Sequence, residues 1–121
     1  MQYLMLIYHS EAGFEKTTEA DRATIYQEYG QLREGLSAKG KFVGGNQLAA
    51  TTMATTVRVR EGKRVVTDGP FAETKEQLGG YFLVEATDLD EAIAIAARIP
   101  SARNGSIEVR PIAVRGKVAQ A

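Results

Sequence analysis

"YLMLIYH" (residues 3–9) decides how the rest of the chain is read. Alternate side chains of a strand point to opposite faces, so Tyr3, Met5, Ile7 and His9 share one face and Leu4, Leu6 and Tyr8 the other. Both faces are apolar, and a strand of that kind is covered on both sides. The run therefore predicts a central strand. It is too short to span a bilayer and has no basic leader before it, so a soluble, cytoplasmic protein without membrane attachment is expected.

Working outward, "TTEADRATIYQEYGQLREGLSAKG" predicts a helix. Ile25, Tyr29, Leu32 and Leu36 recur every three or four residues and form one apolar stripe. Thr18 is placed to cap its start and Gly40 to end it. "KFVGGNQL" predicts a second strand, with Gly44-Gly45 marking a bulge or a close backbone approach. "TTVRVREGKRVVT" predicts a short hairpin turning at Glu61-Gly62-Lys63. "YFLVEA" predicts another central strand. "DLDEAIAIAARI" predicts a helix capped by Asp88 and Glu91, with Leu89, Ile93 and Ala96 as its buried stripe. "SIEVRPI" is the last strand, with Ile107 and Val109 on one face and Glu108 and Arg110 on the other. The tail "AVRGKVAQA" has no pattern, and residues 115–121 are expected to fray or pack on a neighbour.

The order is βαβ, a hairpin, then βαβ. That predicts one α+β domain over residues 1–121, a ferredoxin-like antiparallel sheet with two helices on one face. Helices on one face leave the second apolar face of "YLMLIYH" uncovered. A second copy packed sheet against sheet would cover it, so a homodimer is expected.

Composition removes several function classes. The 15 basic and 15 acidic residues balance, so the formal charge gives no electrostatic reason to expect binding to a nucleic-acid backbone. Absence of cysteine excludes disulfides, thiolate metal sites and cysteine nucleophiles. The single histidine excludes a multi-histidine zinc site within one chain. No P-loop, G-x-S-x-G or H-E-x-x-H pattern is present, and "GKFVGG" lacks the strand–loop–helix setting of a dinucleotide fingerprint. Neither a cofactor nor a metal is predicted.

Chemistry concentrates around "VVTDGPFAETKEQLGGYF" (residues 65–82), which is far longer than a hairpin connection needs. Gly69 can take a positive φ, Pro70 fixes its own, and Phe71 can plug the turn onto the core. One reading is a rigid turn. The other is a turn that holds the Asp68 carboxylate in a cleft as a general acid or base. The predicted topology brings this segment, His9 with Ser10 and Glu11, Asn46 with Gln47, and Arg103 with Asn104 to one end of the sheet. Asp68 and His9 are thus the candidate catalytic pair. Phe71, Glu73, Lys75, Tyr81, Arg103 and Arg110 are the candidate ligand contacts, with Arg103 or Lys75 orienting an anion. Each has a plainer reading: a packed histidine, a solvated "AETKEQ" face, a Glu108–Arg110 surface ion pair.

"TDGPFAETKEQLGGYFLVEA" resembles the DGPF branch of the YCII-related proteins. So do "MQYLMLIYHSE", "ATTVRVREGKRVV" and "DLDEAIAIAARIPSARNGSIEVRPI", so the likeness covers nearly the whole chain. The resemblance implies a ferredoxin-like protomer that pairs into a dimeric α/β barrel. That architecture is similar to small-molecule isomerases, monooxygenases and chlorite-dismutase-like folds. For some relatives it implies a regulatory setting beside extracytoplasmic-function sigma factors. In the wider group it implies a dyad of a first-helix histidine and an aspartate before a P-F pair. Asp68 matches that aspartate; "DRATIYQEYGQLREG" offers no matching histidine.

Two functions follow. One is an enzyme acting on a small organic molecule in a cleft at the sheet rim. The other is a non-catalytic dimer that binds a small ligand or a regulatory partner, with the D-G-P-F segment as scaffold.

Overall fold

The computed structural model describes residues 1–115. Strand β1 (Gln2–His9) is followed by a short helix α1 (Glu11–Glu15), helix α2 (Glu19–Ala38) and β2 (Phe42–Gln47). A 3-10 turn (Thr51–Met53) leads into β3 (Thr55–Arg60) and β4 (Lys63–Asp68). Then come β5 (Gln77–Glu85), α3 (Leu89–Ala97), a 3-10 turn (Pro100–Arg103) and β6 (Ser106–Pro111). The predicted tail, beyond Arg115, lies outside the described residues.

The main sheet runs β2-β5-β1-β6 with every neighbour antiparallel, the ferredoxin-like order. β1 is central, as its two apolar faces required. Tyr3, Met5 and Ile7 are buried against the helices together with Phe82 and Val84 of β5. Leu32 and Leu36 of α2 close over them, and Ala92, Ile95 and Ala96 of α3 close over the other half. Each such fully buried large side chain contributes roughly 1.5–3 kcal/mol.

The helix ends follow their caps. Thr18 Oγ1 accepts from the Asp21 amide at 3.1 Å, and Asp88 Oδ1 from the Glu91 amide at 2.9 Å. Glu91 reaches back one residue further than a capping box requires, accepting from the Thr87 amide at 2.9 Å, and it also holds Lys41 at 2.7 Å. The buried stripe of α3 differs from the predicted one. Ile93 is half exposed, while Ala92, Ile95, Ala96 and, beyond the helix, Ile99 are buried. Positions 92, 95, 96 and 99 follow the i, i+3, i+4, i+7 spacing of one face, and Ile93 falls off that face.

The hairpin β3–β4 pairs only with itself. Its two-residue turn, Glu61-Gly62, has φ of 52° and 74°, which matches the twist of the strands. Directly opposed residues share a face, so Val57, Val66 and Val59 line one side of this arm together with Arg64, and Arg58, Arg60 and Lys63 the other together with Val65. All three of those valines are exposed. The other face of the main sheet carries Leu4, Leu6, Tyr8, Tyr81 and Leu83, half-buried in the protomer. No helix among the described residues is long and apolar enough to cross a membrane.

Candidate functional site

The C-terminal end of β1 meets the starts of β5 and β6: His9 stands opposite Gln77, and Tyr8 opposite Ser106. β5 begins earlier than "YFLVEA" suggested, and a bulge makes the difference. Ile7 pairs with Gly80 and Tyr8 with Leu78, which leaves Gly79 between them without a partner. The His9 ring occupies the space above it. A Cβ on Gly79 would lie 2.1 Å from His9 Nε2 and 2.4 Å from Cδ2. The histidine is therefore housed by the absence of a side chain.

Beyond β1 the chain does not pass straight into α2. Ser10 caps the short α1, its Oγ accepting from the Gly13 amide at 3.1 Å. Five residues show no helical periodicity, so this helix was not legible beforehand. It places Phe14 edge-on to His9, with ring centroids 5.5 Å apart, and edge-on to Tyr26 at 6.4 Å. Arg22 fixes Phe14 from outside. Its guanidinium lies 4.9 Å over the ring and donates to the carbonyls of Phe14 (3.0 Å) and Glu15 (3.1 Å). Glu11 anchors the other side: its amide donates to Gln77 Oε1 at 2.9 Å, and its carboxylate accepts from the Thr51 amide at 2.8 Å and the Thr51 hydroxyl.

Between α1, α2 and the inner face of the sheet lies a cleft of about 450 Å³. Ile7, Ile25, Phe14 and Phe82 form its apolar walls; His9, Tyr29, Arg33, Ser101 and Arg103 bring polar groups to it. This mixture, a largely apolar wall with a few polar groups, is typical of a small-molecule site. The turn after α3 is pinned against α2 at two points. The Tyr29 and Ser101 hydroxyls share a 2.7 Å hydrogen bond, and Arg103 grips Glu28 through two bonds of 2.8 and 2.9 Å. Burial pushes the Tyr29 phenol up, with the Ser101 bond working the other way. The Arg103 hydrogen bond holds the Glu28 carboxyl below its ordinary value, and Glu28 in turn raises the Arg103 guanidinium.

Of the residues named from the sequence, His9 and Arg103 line the cleft, together with Ser10, Asn46, Gln47 and Asn104 of the expected rim. Asp68 does not. It ends β4 opposite Thr55, at the base of the arm, and is exposed. Its neighbour Gly69 makes the turn, with φ +95°, donating to the Ala54 carbonyl at 2.7 Å and accepting from Thr56 Oγ1 at 2.8 Å. Phe71 is 80% exposed and so does not plug the turn onto this protomer's core. Glu73 and Lys75 are exposed between β4 and β5. Tyr81 points to the sheet's outer face and accepts from Asn46 Nδ2 at 2.9 Å; Arg110 lies on that face too, paired with Glu108. Among the described residues, no three acidic or histidine side chains gather as a metal site.

The sequence reading missed Phe14, Tyr26, Arg33 and Ser101 as site residues. One signal was available. Ile25, Tyr29 and Arg33 fall at spacings of four, so the charge continues the stripe that starts apolar.

The family model described as the YCII-related domain matches residues 1–114. An uncharacterised protein of Rhizobium meliloti (strain 1021) is 35% identical over 116 residues, which covers 94% of each chain.

Proposed function

The chain belongs to the YCII-related family, and we propose that it works as a homodimer that takes a small organic molecule into the cleft beside His9. One observation carries this reading: the His9 ring is held between the Phe14 ring and the bare backbone of Gly79, in the wall of a preformed 450 Å³ cleft. Its Nε2–Cδ2 edge is the one over Gly79, so Nδ1 lies on the edge turned away. Neither nitrogen is bonded to another described residue, and neither is shut off from solvent. Histidine is the side chain best suited to passing a proton near neutral pH, so proton transfer to or from the bound molecule is the reaction type this arrangement supports.

The dimer reading rests on unsatisfied apolar surface. A face of four strands, six residues long, spans roughly 19 by 20 Å, which supplies about half of the ~800 Å² per partner of a standard interface. The valine face of the arm extends it. A free two-stranded ribbon is marginally stable at best, so the arm is expected to rest on the second copy. Light scattering should give twice the 13.1 kDa protomer mass; a stable monomer at micromolar concentration would refute it.

Asp68 stands outside the cleft of its own protomer, so as a general acid or base it would have to reach the ligand from the partner's arm. The competing reading, a non-catalytic dimer with D-G-P-F as scaffold, draws on the hydrogen bonds that Gly69 makes to Ala54 and Thr56. A fragment screen by protein-observed NMR tests the cleft. Hits should shift the amides of His9, Phe14 and Tyr26 and weaken in His9→Gln. Hits confined to the outer sheet face, or none at all, would overturn the proposal. Any turnover that survives His9→Gln but not Asp68→Asn would transfer the proton chemistry to the arm.

A further inference from the structure

We infer that the cleft selects carboxylates with an apolar body, and that Arg33 holds the carboxylate; this rests on the cleft being a small-molecule site. The chain as a whole is electrically balanced, with 15 acidic and 15 basic residues. The cleft is not. Its walls carry His9, Arg33 and Arg103, and no aspartate or glutamate. A wall of one sign in a neutral protein selects ligands of the other sign.

The two arginines are not equivalent. Arg103 is matched by Glu28, through two hydrogen bonds that use both of its terminal nitrogens. Those bonds brace the turn and leave little charge for a ligand. Arg33 makes no ion pair with another described residue. It is exposed to solvent and also lines the cleft. Helical side chains lean toward the N-terminus, so a long side chain at position 33 lies back over the turn that carries Tyr29.

The chemistry of the anion follows from what surrounds that one guanidinium. Its planar fork matches a carboxylate through two parallel hydrogen bonds. A phosphate dianion wants more donors, from a helix N-terminus or a glycine-rich nest. Arg33 sits well inside α2 and has neither beside it.

The body of the ligand is set by distance. Arg33 is seven residues beyond Tyr26, which is about 10 Å along the helix axis. Tyr26 touches Phe14, and Phe14 touches His9. A carboxylate at Arg33 therefore projects its apolar part past Ile25 and Phe82 toward the His9 end. A single ring or a chain of about six carbons spans that length.

The test uses matched pairs of probes: 3-phenylpropanoate against 3-phenylpropanamide, and hexanoate against hexanamide. Each is titrated into the isotopically labelled full-length protein at low salt. The acids are expected to bind at least tenfold more tightly than their amides and to shift the Arg33 side-chain and Phe14 amide resonances. Arg33→Gln should bring the acids down to the affinity of their amides; Arg33→Lys should keep part of the preference. Because Arg33 is exposed, neither change threatens the fold, and matching melting curves check this. Amides that bind in the cleft as tightly as the acids, or an acid preference that survives Arg33→Gln, would overturn the inference and leave the cleft reading standing. Binding of no probe would overturn both.

Discussion

Replacing Gly79 by alanine separates the site from the fold, because the clash it creates can be relieved only by moving His9. The new Cβ would stand 2.1 Å from Nε2 and 2.4 Å from Cδ2, against a comfortable separation of ~3.5 Å. The ring must retreat by more than an ångström. It is free to do so by rotating into the cleft, so the overpacking falls at the low end, about 1 kcal/mol. Loss of the edge contact with Phe14 adds about 0.5–1.5 kcal/mol. A domain of this size should then melt some 5–12 °C lower. Gly105→Ala is the control. Its Cβ also meets an atom at 2.1 Å, but that atom is the Tyr8 carbonyl oxygen, with the Ser101 carbonyl oxygen at 3.0 Å behind it. No side-chain rotation relieves a clash with backbone, so about 3 kcal/mol or more is expected, and strand β6 should shift. The assay is thermal melting together with the imidazole cross-peak. The chain has one histidine, so that peak needs no assignment. In Gly79→Ala it should move and lose its nuclear Overhauser contacts with the Phe14 ring. An unmoved peak, or a lower melting temperature than Gly105→Ala, would refute the claim that Gly79 exists to seat His9.

Three further outcomes are expected. Glu28 is held below its ordinary carboxylate value by Arg103, so its contribution is present above the unfolded value of 4.5 and is lost as pH falls through the lowered one; a carboxyl-carbon titration should show this, and Glu28→Gln should remove that part of the acid dependence. Tyr29 is raised by burial, so its contribution is complete below the unfolded value of 10.0 and fades as pH rises through the raised one, an order that ultraviolet titration can check; Tyr29→Phe should cost about 0.5–1.5 kcal/mol in denaturant melts by unpairing Ser101. Gly69→Ala should cost about 1–2 kcal/mol because of its φ of +95°, whereas Asp68→Asn should change denaturant stability by less than about 0.5 kcal/mol.

What could be read in advance was whatever depends on period. β1 and β5 announce themselves as short runs apolar on both faces, β6 by two-residue alternation, α2 by its stripe and its threonine cap, and the arm by Val57 and Val59 alternating with arginines. The sheet order then follows from two βαβ units. The topology also brought the end of β1 and the turn before β6 together correctly, which is why His9 and Arg103 were both placed at the cleft. The failures concern features without a period. α1 has five residues and a glycine, too few to show a face. The α3 stripe reads as Leu89, Ile93 and Ala96, yet the buried face is Ala92, Ile95 and Ala96, because two faces of so short a helix are both rich in apolar residues. Nothing in the sequence signals that the D-G-P-F turn parts from the residues that follow it. In the protomer it stays with the arm, and only the later part of that segment, from Glu76 to Gly80, reaches the rim.

That division explains how one segment serves two surfaces. Its first part ends the arm: Gly69 takes the positive φ and ties β4 back to Ala54 and Thr56. Its last part builds the floor of the cleft, with Gln77 opposite His9 and Gly79 beneath the ring. Glu11 closes the circuit, its amide bonded to Gln77 and its carboxylate to Thr51, just ahead of the arm. Helix α1, the approach to the arm and the start of β5 therefore meet at one residue beside the cleft. A change that frees the Glu11 carboxylate, such as Glu11→Ala, leaves the Thr51 amide without its acceptor and loosens α1 from the approach to the arm together. It should disturb the Phe14 wall and the arm's base at once, although Asp68 and His9 belong to different surfaces of the protomer.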